Sequence, residues 1–297
     1  LLLPGTRLVT LAGPGGVGKT RLATEIAQRF ATRHPVGVPF IRLDGLQDAA
    51  LVIPSLAAAV KVPTSENASA MQARIAAWLS AGERIVILDN LEHLLAATPD
   101  LGNVLRLMTG GCFLATSREA LRLATEQVIL IRPLPRPDAR AWQPPASTAK
   151  IDNPAMQLFV RRAHSQRADL PFDTISDAGR ANLASVADLC QRLDGLPLAI
   201  ELAAAQIPVY SPQLLSTMLS QAGLPLLSGG QRDQPPRLQT MAASIAWSYS
   251  SLDAAEQRAF RAFSVFAGGF GLAAAAAVLA SGESGNGISI DYRHPHA

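Results

Sequence analysis

From Arg7 to Ile131, short continuous apolar runs alternate with stretches of helical period. Arg7 to Ala12 (RLVTLA) is a β-rich run that stops at a glycine loop. Thr20 to Phe30 follows with helical spacing, which sets Leu22, Ile26 and Phe30 on one face. Val38 to Leu43 predicts a second strand. Leu51 to Val60 and Met71 to Leu79 predict helices, the latter turning Ile75, Trp78 and Leu79 toward a core. Ile85 to Leu88 (IVIL) is unbroken in its hydrophobicity, as a strand buried on both faces of a parallel sheet must be. Leu101 to Met108 is again helical, and Cys112 to Thr116 and Val128 to Ile131 are further strands. Strands alternating with helices predict an α/β fold, a doubly wound parallel sheet with ligands at the carboxyl ends of its strands.

Pro133 to Pro145 (PLPRPDARAWQPP) closes that unit, and strand signals then vanish. Pro154 to Gln166, Asp177 to Leu193 and Leu198 to Ala205 are helical patterns. The first has a capping residue, Asn153, and a proline at its first helical position. A second loop, Ser228 to Pro236 (SGGQRDQPP), precedes a helical stretch from Leu238 to Ala280 that carries Trp247, Tyr249, Phe260, Phe263 and Phe266. The Gly/Ser-rich tail, residues 281–297, is expected to be disordered. The chain thus divides into 1–137, 151–227, 238–280 and the tail 281–297, with no internal repeat.

Composition narrows the class. Of the 297 residues 48% are hydrophobic and 16% charged, which places the chain among globular proteins. The formal charge of +3 is spread along the sequence without a block of five basic residues, so charge gives no case for nucleic acid. The two cysteines, Cys112 and Cys190, lie far apart in apolar sequence and read as buried thiols rather than a disulfide or metal site. No apolar run reaches the roughly 18 residues of a membrane span, and Leu1-Leu2-Leu3 lacks the flanks of a signal peptide. A cytoplasmic location is expected. The chain opens on leucine rather than methionine and runs directly into a strand, as a piece of a longer protein would.

The chemistry is concentrated at the first loop. Gly13-Pro14-Gly15-Gly16-Val17-Gly18-Lys19-Thr20 matches the phosphate-binding P-loop at each fixed position. Glycines let the backbone curl until successive N–H groups face one anion, at the positive end of the next helix. In this pattern Lys19 reaches the β- and γ-phosphates, the Thr20 hydroxyl ligates Mg²⁺, and Arg21 stands beside them on the helix. ATP or ADP with Mg²⁺ is the expected ligand. A chance match in a chain this long is on the order of one per cent.

A phosphate loop also needs a carboxylate for its metal, and Ile85-Val86-Ile87-Leu88-Asp89 delivers one to a strand end. Asp89 is read as the second metal residue, the alternative being a turn residue. Glu92 is a candidate to orient the attacking water, against an exposed carboxylate at a helix start. Asn90 stands where many P-loop enzymes carry a second acid, so fast hydrolysis is not expected. His93 reads as packing or surface. Phe113-Leu114-Ala115-Thr116 brings Thr116, Ser117 and Arg118 to the same sheet edge, where a guanidinium is placed to sense the γ-phosphate. The alternative is a surface arginine paired with Glu119.

The segments LAGPGGVGKTRLA (11–23), IVILDNLEHLL (85–95), ATSREALRL (115–123), CQRLDGLPLAIELAAA (190–205), SIAWSYSSLDAAEQRAF (244–260) and SVFAGGF (264–270) together resemble one family. It is the signal-transduction ATPases with numerous domains (STAND), in the branch akin to NB-ARC proteins and to bacterial ATPases fused to winged-helix or LuxR-type regulators. The resemblance runs from about Leu8 to Leu279. It implies a P-loop NTPase sheet (1–137), a helical domain closing over the nucleotide (151–227) and a partial winged-helix domain (238–280). It also implies that Pro197, after Gly195, lies against adenine, whereas the residues alone require only a helix break at Gly-Leu-Pro. The function implied is an ATP/ADP-gated signalling switch with slow hydrolysis, lacking in this chain its sensor and output domains and working as a homo-oligomer or with those domains. Two other readings compete: a DNA-binding transcriptional regulator acting through 238–280, and a P-loop small-molecule kinase. No basic recognition helix stands out in 238–280, so nucleic acid is not an expected partner of this chain, nor is a membrane.

Overall fold

In the computed structural model the described residues are 5–34, 36–65, 67–138, 151–230, 233, 235–250, 252–266 and 269–282. Five parallel strands make one sheet: β1 (Leu8–Ala12), β2 (Phe40–Arg42), β3 (Ile85–Asp89), β4 (Cys112–Ser117) and β5 (Glu126–Leu130), in the spatial order β2-β3-β4-β1-β5. The central strands are apolar throughout because both faces are covered. Val86, Leu88, Phe113 and Ala115 enter a core with α2 (Val52–Ala59), α3 (Ala68–Ser80) and α4 (Thr98–Leu107). Their neighbours Ile87, Cys112 and Leu114 point the other way, to a smaller core against α1 (Lys19–Ala31). That is the period-two alternation of strand side chains used on two buried faces. Strand β5 is an edge, with Leu130 left 63% exposed.

Register brings the chemistry together. β4 lies between β1 and β3, pairing Ala12 with Ser117 and Leu88 with Ala115. The carboxyl ends of three strands therefore converge where the glycine loop leaves β1.

A second core is wholly helical. It is built from α5 (Pro154–Gln166), α6 (Asp177–Arg192), α7 (Pro197–Ala204) and α8 (Pro212–Ala222) around Phe159, Val186, Leu189, Ile200 and Leu215. Asn153 accepts from the amides of Ala155 and Met156, the cap expected at that position. The segment after β5 joins this unit by a close approach: the Leu134 amide donates to the Gly195 carbonyl over 2.9 Å. A β-carbon on Gly195 would stand 2.0 Å from the Leu134 carbonyl oxygen, and its φ of +66° lies in the left-handed region.

The last described part consists of α9 (Met241–Ser250), α10 (Ala254–Ala262) and α11 (Leu272–Gly282).

The structure corrects several expectations. The stretch from Leu238 to Ala280 is helical as expected, and it carries the separate helices α9, α10 and α11. Asp253 and Glu256 form a reciprocal capping box that starts α10 afresh, and a 3₁₀ turn at Phe263–Val265 ends it. Helix α8 lies outside the predicted helical patterns, although Ser211 caps it through the Leu214 amide and Pro212 opens it. Leu22, expected on one face with Ile26 and Phe30, is 38% exposed, because α1 meets the sheet through Ala23 and Ile26. β2 is shorter than expected, and β5 starts two residues earlier. Ser281 lies in α11, whereas 283–297, expected to be disordered, and 139–145 of the proline-rich segment lie outside the described residues. Both thiols are buried and free, and burial pushes Cys112 up to about 11 and Cys190 up to about 12. Among the described residues, no helix is long and apolar enough to cross a membrane.

Candidate functional site

The glycine loop joins β1 to α1 and is drawn inward by its own lysine. Lys19 is 8% exposed, and its Nζ donates to the carbonyls of Gly13 (2.7 Å) and Pro14 (3.0 Å). Burial pulls its ammonium below the ordinary lysine value, and Arg118 adds to that pull. Glu92 and Asp89 oppose it. Val17 is buried, Gly18 caps α1 in a left-handed conformation, and Pro14, Thr20 and Arg21 face outward. Arg21 sits in the first turn of α1, on the exposed side of the loop.

Asp89 ends β3 almost fully buried, at 1% exposure. Its Oδ1 accepts from the Thr20 hydroxyl (2.8 Å) and the Thr116 hydroxyl (2.6 Å). Its Oδ2 accepts from the Asn90 side-chain amide at 3.3 Å. Thr116 works twice, since its oxygen also accepts from the Asn90 amide at 2.9 Å. That hydrogen bond holds Asn90 in its left-handed conformation (φ 64°), which turns the chain sharply into the 3₁₀ turn Leu91–His93. A carboxylate so bonded has one fixed direction, toward α1.

The 3₁₀ turn places Glu92 and His93 on opposite errands. Glu92 pairs with Arg118 at 3.3 Å, the two side chains 9% and 21% exposed. Arg118 therefore meets Glu92 rather than Glu119, contrary to the surface pairing considered from sequence. Glu92 Oε2 and Arg118 Nε have no hydrogen-bond partner although both are buried. His93 packs, as expected: its Nε2 lies 2.8 Å from the Leu46 carbonyl oxygen, and its ring stands edge-on to Trp247 with centroids 6.2 Å apart.

Two contacts were invisible in the sequence. The amide of Leu198, in the first turn of α7, donates to the Gly16 carbonyl at 3.1 Å. A β-carbon on Gly16 would stand 2.8 Å from that of Leu198, which fixes glycine there. Pro197 opens α7, half-buried beside this contact. From the other side, α9 lays Ser244 and Ser248 over the loop: a β-carbon on Gly15 would be 3.5 Å from each hydroxyl oxygen. Ser244 is 6% exposed. The spacing of four along a helix is the only sequence signal for this pair. Outside the loop, Arg237 bridges to Asp44 at 3.0 Å and lies over the Trp247 ring, 5.2 Å from its centroid. Burial pushes Asp44 up, but Arg42 and Arg237 outweigh it and hold the carboxyl below its ordinary value.

A parallel sheet whose first strand ends in a lysine-closed glycine loop, with a buried aspartate at the end of a neighbouring apolar strand, defines a P-loop nucleoside-triphosphatase fold. Residues 4–123 match the family described as AAA domain. An HTH-type transcriptional regulator of Mycobacterium tuberculosis (strain H37Rv) is similar at 38% identity over 286 residues, 95% of this chain and 29% of that protein. An uncharacterized protein of the same strain is 33% identical over 288 residues, 96% of this chain and 67% of its own length. The chain belongs with these proteins to the family of AAA-type P-loop ATPases found in bacterial regulators. It spans less than a third of the HTH-type relative. Drosophila ORC bound to DNA shares the fold at a TM-score of 0.51 and 10% identity, over 98% of this chain and 79% of that one.

Proposed function

We propose that the chain is the nucleotide-gated core of a STAND-type signalling ATPase, holding ADP in a closed state and exchanging it for ATP to open. The carrying observation is that one loop, Gly13 to Thr20, is touched from three directions: by Asp89 through Thr20, by α7 at Gly16 and by α9 at Gly15. A ligand on such a loop acts on all three at once, and only differential contacts can shift a conformational balance. On this reading 1–137 is the nucleotide domain, 151–227 the lid that brings Pro197 to adenine, and 238–280 a partial winged-helix element.

The loop amides and Lys19 would hold the β- and γ-phosphates, with Arg21 at the outer edge. The residues present suit Mg²⁺. Thr20 and Asp89 offer hard oxygen donors already 2.8 Å apart, and such donors favour a small divalent cation over softer metals. When bound, Mg²⁺ would supply charge neutralisation between the phosphates. Asp89 is aimed by its hydrogen bond from Thr116; on this reading Glu92 would orient water and Arg118 would meet the terminal phosphate. Hydrolysis is slow on this account, because Asn90 replaces a second acid. A cytoplasmic, oligomerising regulator fits the 38% identity to an HTH-type regulator, whose remaining length lies beyond what this chain spans.

Calorimetry with Mg²⁺ tests the reading. ATP and ADP bind the folded chain, and Lys19→Ala weakens both by about a hundredfold, the scale of two charge-assisted hydrogen bonds. Equal affinity in the variant overturns it.

A further inference from the structure

The two cations facing the loop, Lys19 and Arg118, share an anion that the chain supplies itself. Glu92 is rigidly presented: Leu91 before it is fully buried, and His93 after it is anchored on the Leu46 carbonyl. Its Oε1 sits 3.3 Å from Arg118 Nε, yet its Oε2 has no partner, nor does Arg118 Nε make a well-formed hydrogen bond. A buried ion pair kept for structure satisfies its remaining lone pairs and protons. This one is half-satisfied, as a contact poised to exchange would be. Glu92 is also the strongest of the charges acting on Lys19, ahead of Arg118 and Asp89. A carboxylate between a lysine and an arginine at the mouth of a phosphate loop resembles a terminal phosphate in charge and in acceptor geometry. A guanidinium takes either one through the same fork of N–H groups.

We infer that Glu92 competes with the γ-phosphate for Arg118 and thereby sets the preference of the site between ADP and ATP. The inference rests on the nucleotide reading above and names the residue that determines its specificity. ADP leaves the pair intact. ATP has to part Glu92 from Arg118 before its γ-phosphate is gripped, so the pair lowers affinity for the triphosphate alone. The same parting frees Glu92 to face the water that would attack, coupling the arrival of ATP to the readiness of the carboxylate.

The test is a double-mutant cycle read by binding, with a β,γ-imido analogue of ATP and with ADP, both with Mg²⁺. Glu92→Gln tightens the triphosphate analogue by about tenfold, or about 1.4 kcal/mol, and leaves ADP within about twofold. Glu92→Asp, which shortens the reach of the carboxylate, gives a gain in the same direction and guards against a folding defect in the first variant. In an Arg118→Gln background the gain from Glu92→Gln disappears. Should the gain persist there, removal of a negative charge explains it and the competition is refuted. An unchanged ratio of triphosphate to ADP affinity in both Glu92 variants refutes it as well, while nucleotide binding by the parent chain keeps the broader reading standing. A folded parent chain that binds neither nucleotide overturns both.

Discussion

Thr116 carries more of the site than its chemistry advertises. One hydroxyl donates to Asp89 at 2.6 Å and accepts from Asn90 at 2.9 Å, with no exposure to solvent. Thr116→Val keeps the shape and strands the Asn90 amide, a loss of about 1–3 kcal/mol of stability for an unsatisfied buried donor. Urea unfolding reads it, and a change under about 0.5 kcal/mol, the noise of a surface substitution, would show that the bond is idle. Residues whose duty follows from fixed spacing were legible beforehand: the glycines, Lys19 and Thr20 lie in one local loop. Asp89 was legible as a carboxylate at a strand end. The work of Thr116 was not, because it depends on which strand lies beside β3, and sequence order does not state that. Arg118 reads from sequence as a guanidinium at the sheet edge, and its alternative pairing with Glu119 gives way to one with Glu92. Glu119 is adjacent in sequence, whereas Glu92 reaches it only through the parallel pairing of β3 with β4.

At the scale of elements, apolar runs and helical period recover every strand and most helices among the described residues. Period alone is blind to where a helix starts afresh. The stretch after Leu238 keeps a helical rhythm through Asp253, where the reciprocal cap with Glu256 divides it. Helix α8 lies outside the predicted patterns, although a Ser-Pro start caps and opens it. The junction of elements most intolerant of change is at Gly195. Gly195→Ala forces a β-carbon onto the Leu134 carbonyl in a left-handed backbone, so a loss of about 3 kcal/mol or more is expected. The loss should appear as a lower thermal midpoint. A midpoint within a degree or so of the parent would mean that the connection between the sheet and the helical unit yields freely.

For the whole molecule, the contact of Arg237 with Asp44 and Trp247 links parts of the chain some two hundred residues apart in sequence. Asp44 has a folded value below its ordinary 3.8, so its contribution is complete above that pH and fades as acid carries it through the lower folded value. Arg237→Gln therefore costs on the order of 1 kcal/mol at neutral pH, the scale of a partly screened ion pair with a cation–π contact. The gap in urea midpoint between parent and variant should be constant from pH 7 to 5 and narrow below about 3.8. A gap that widens in acid would reverse the assigned sign. No pattern of hydrophobic positions announced this bridge, since long-range charge pairing leaves no period in a sequence.

The hydrogen bond from the Leu198 amide to the Gly16 carbonyl has a consequence of its own. Amides in the first turn of a helix have no partner within it, and this one is served by the very peptide that would reorient to greet an incoming anion. The opening of α7 is thus wired to the loop by a single proton that deuterium can replace. Isotope uptake at Leu198 becomes a gauge of loop posture, slow while Gly16 faces the helix and quick once it turns away, legible without any dye or reporter group attached to the chain.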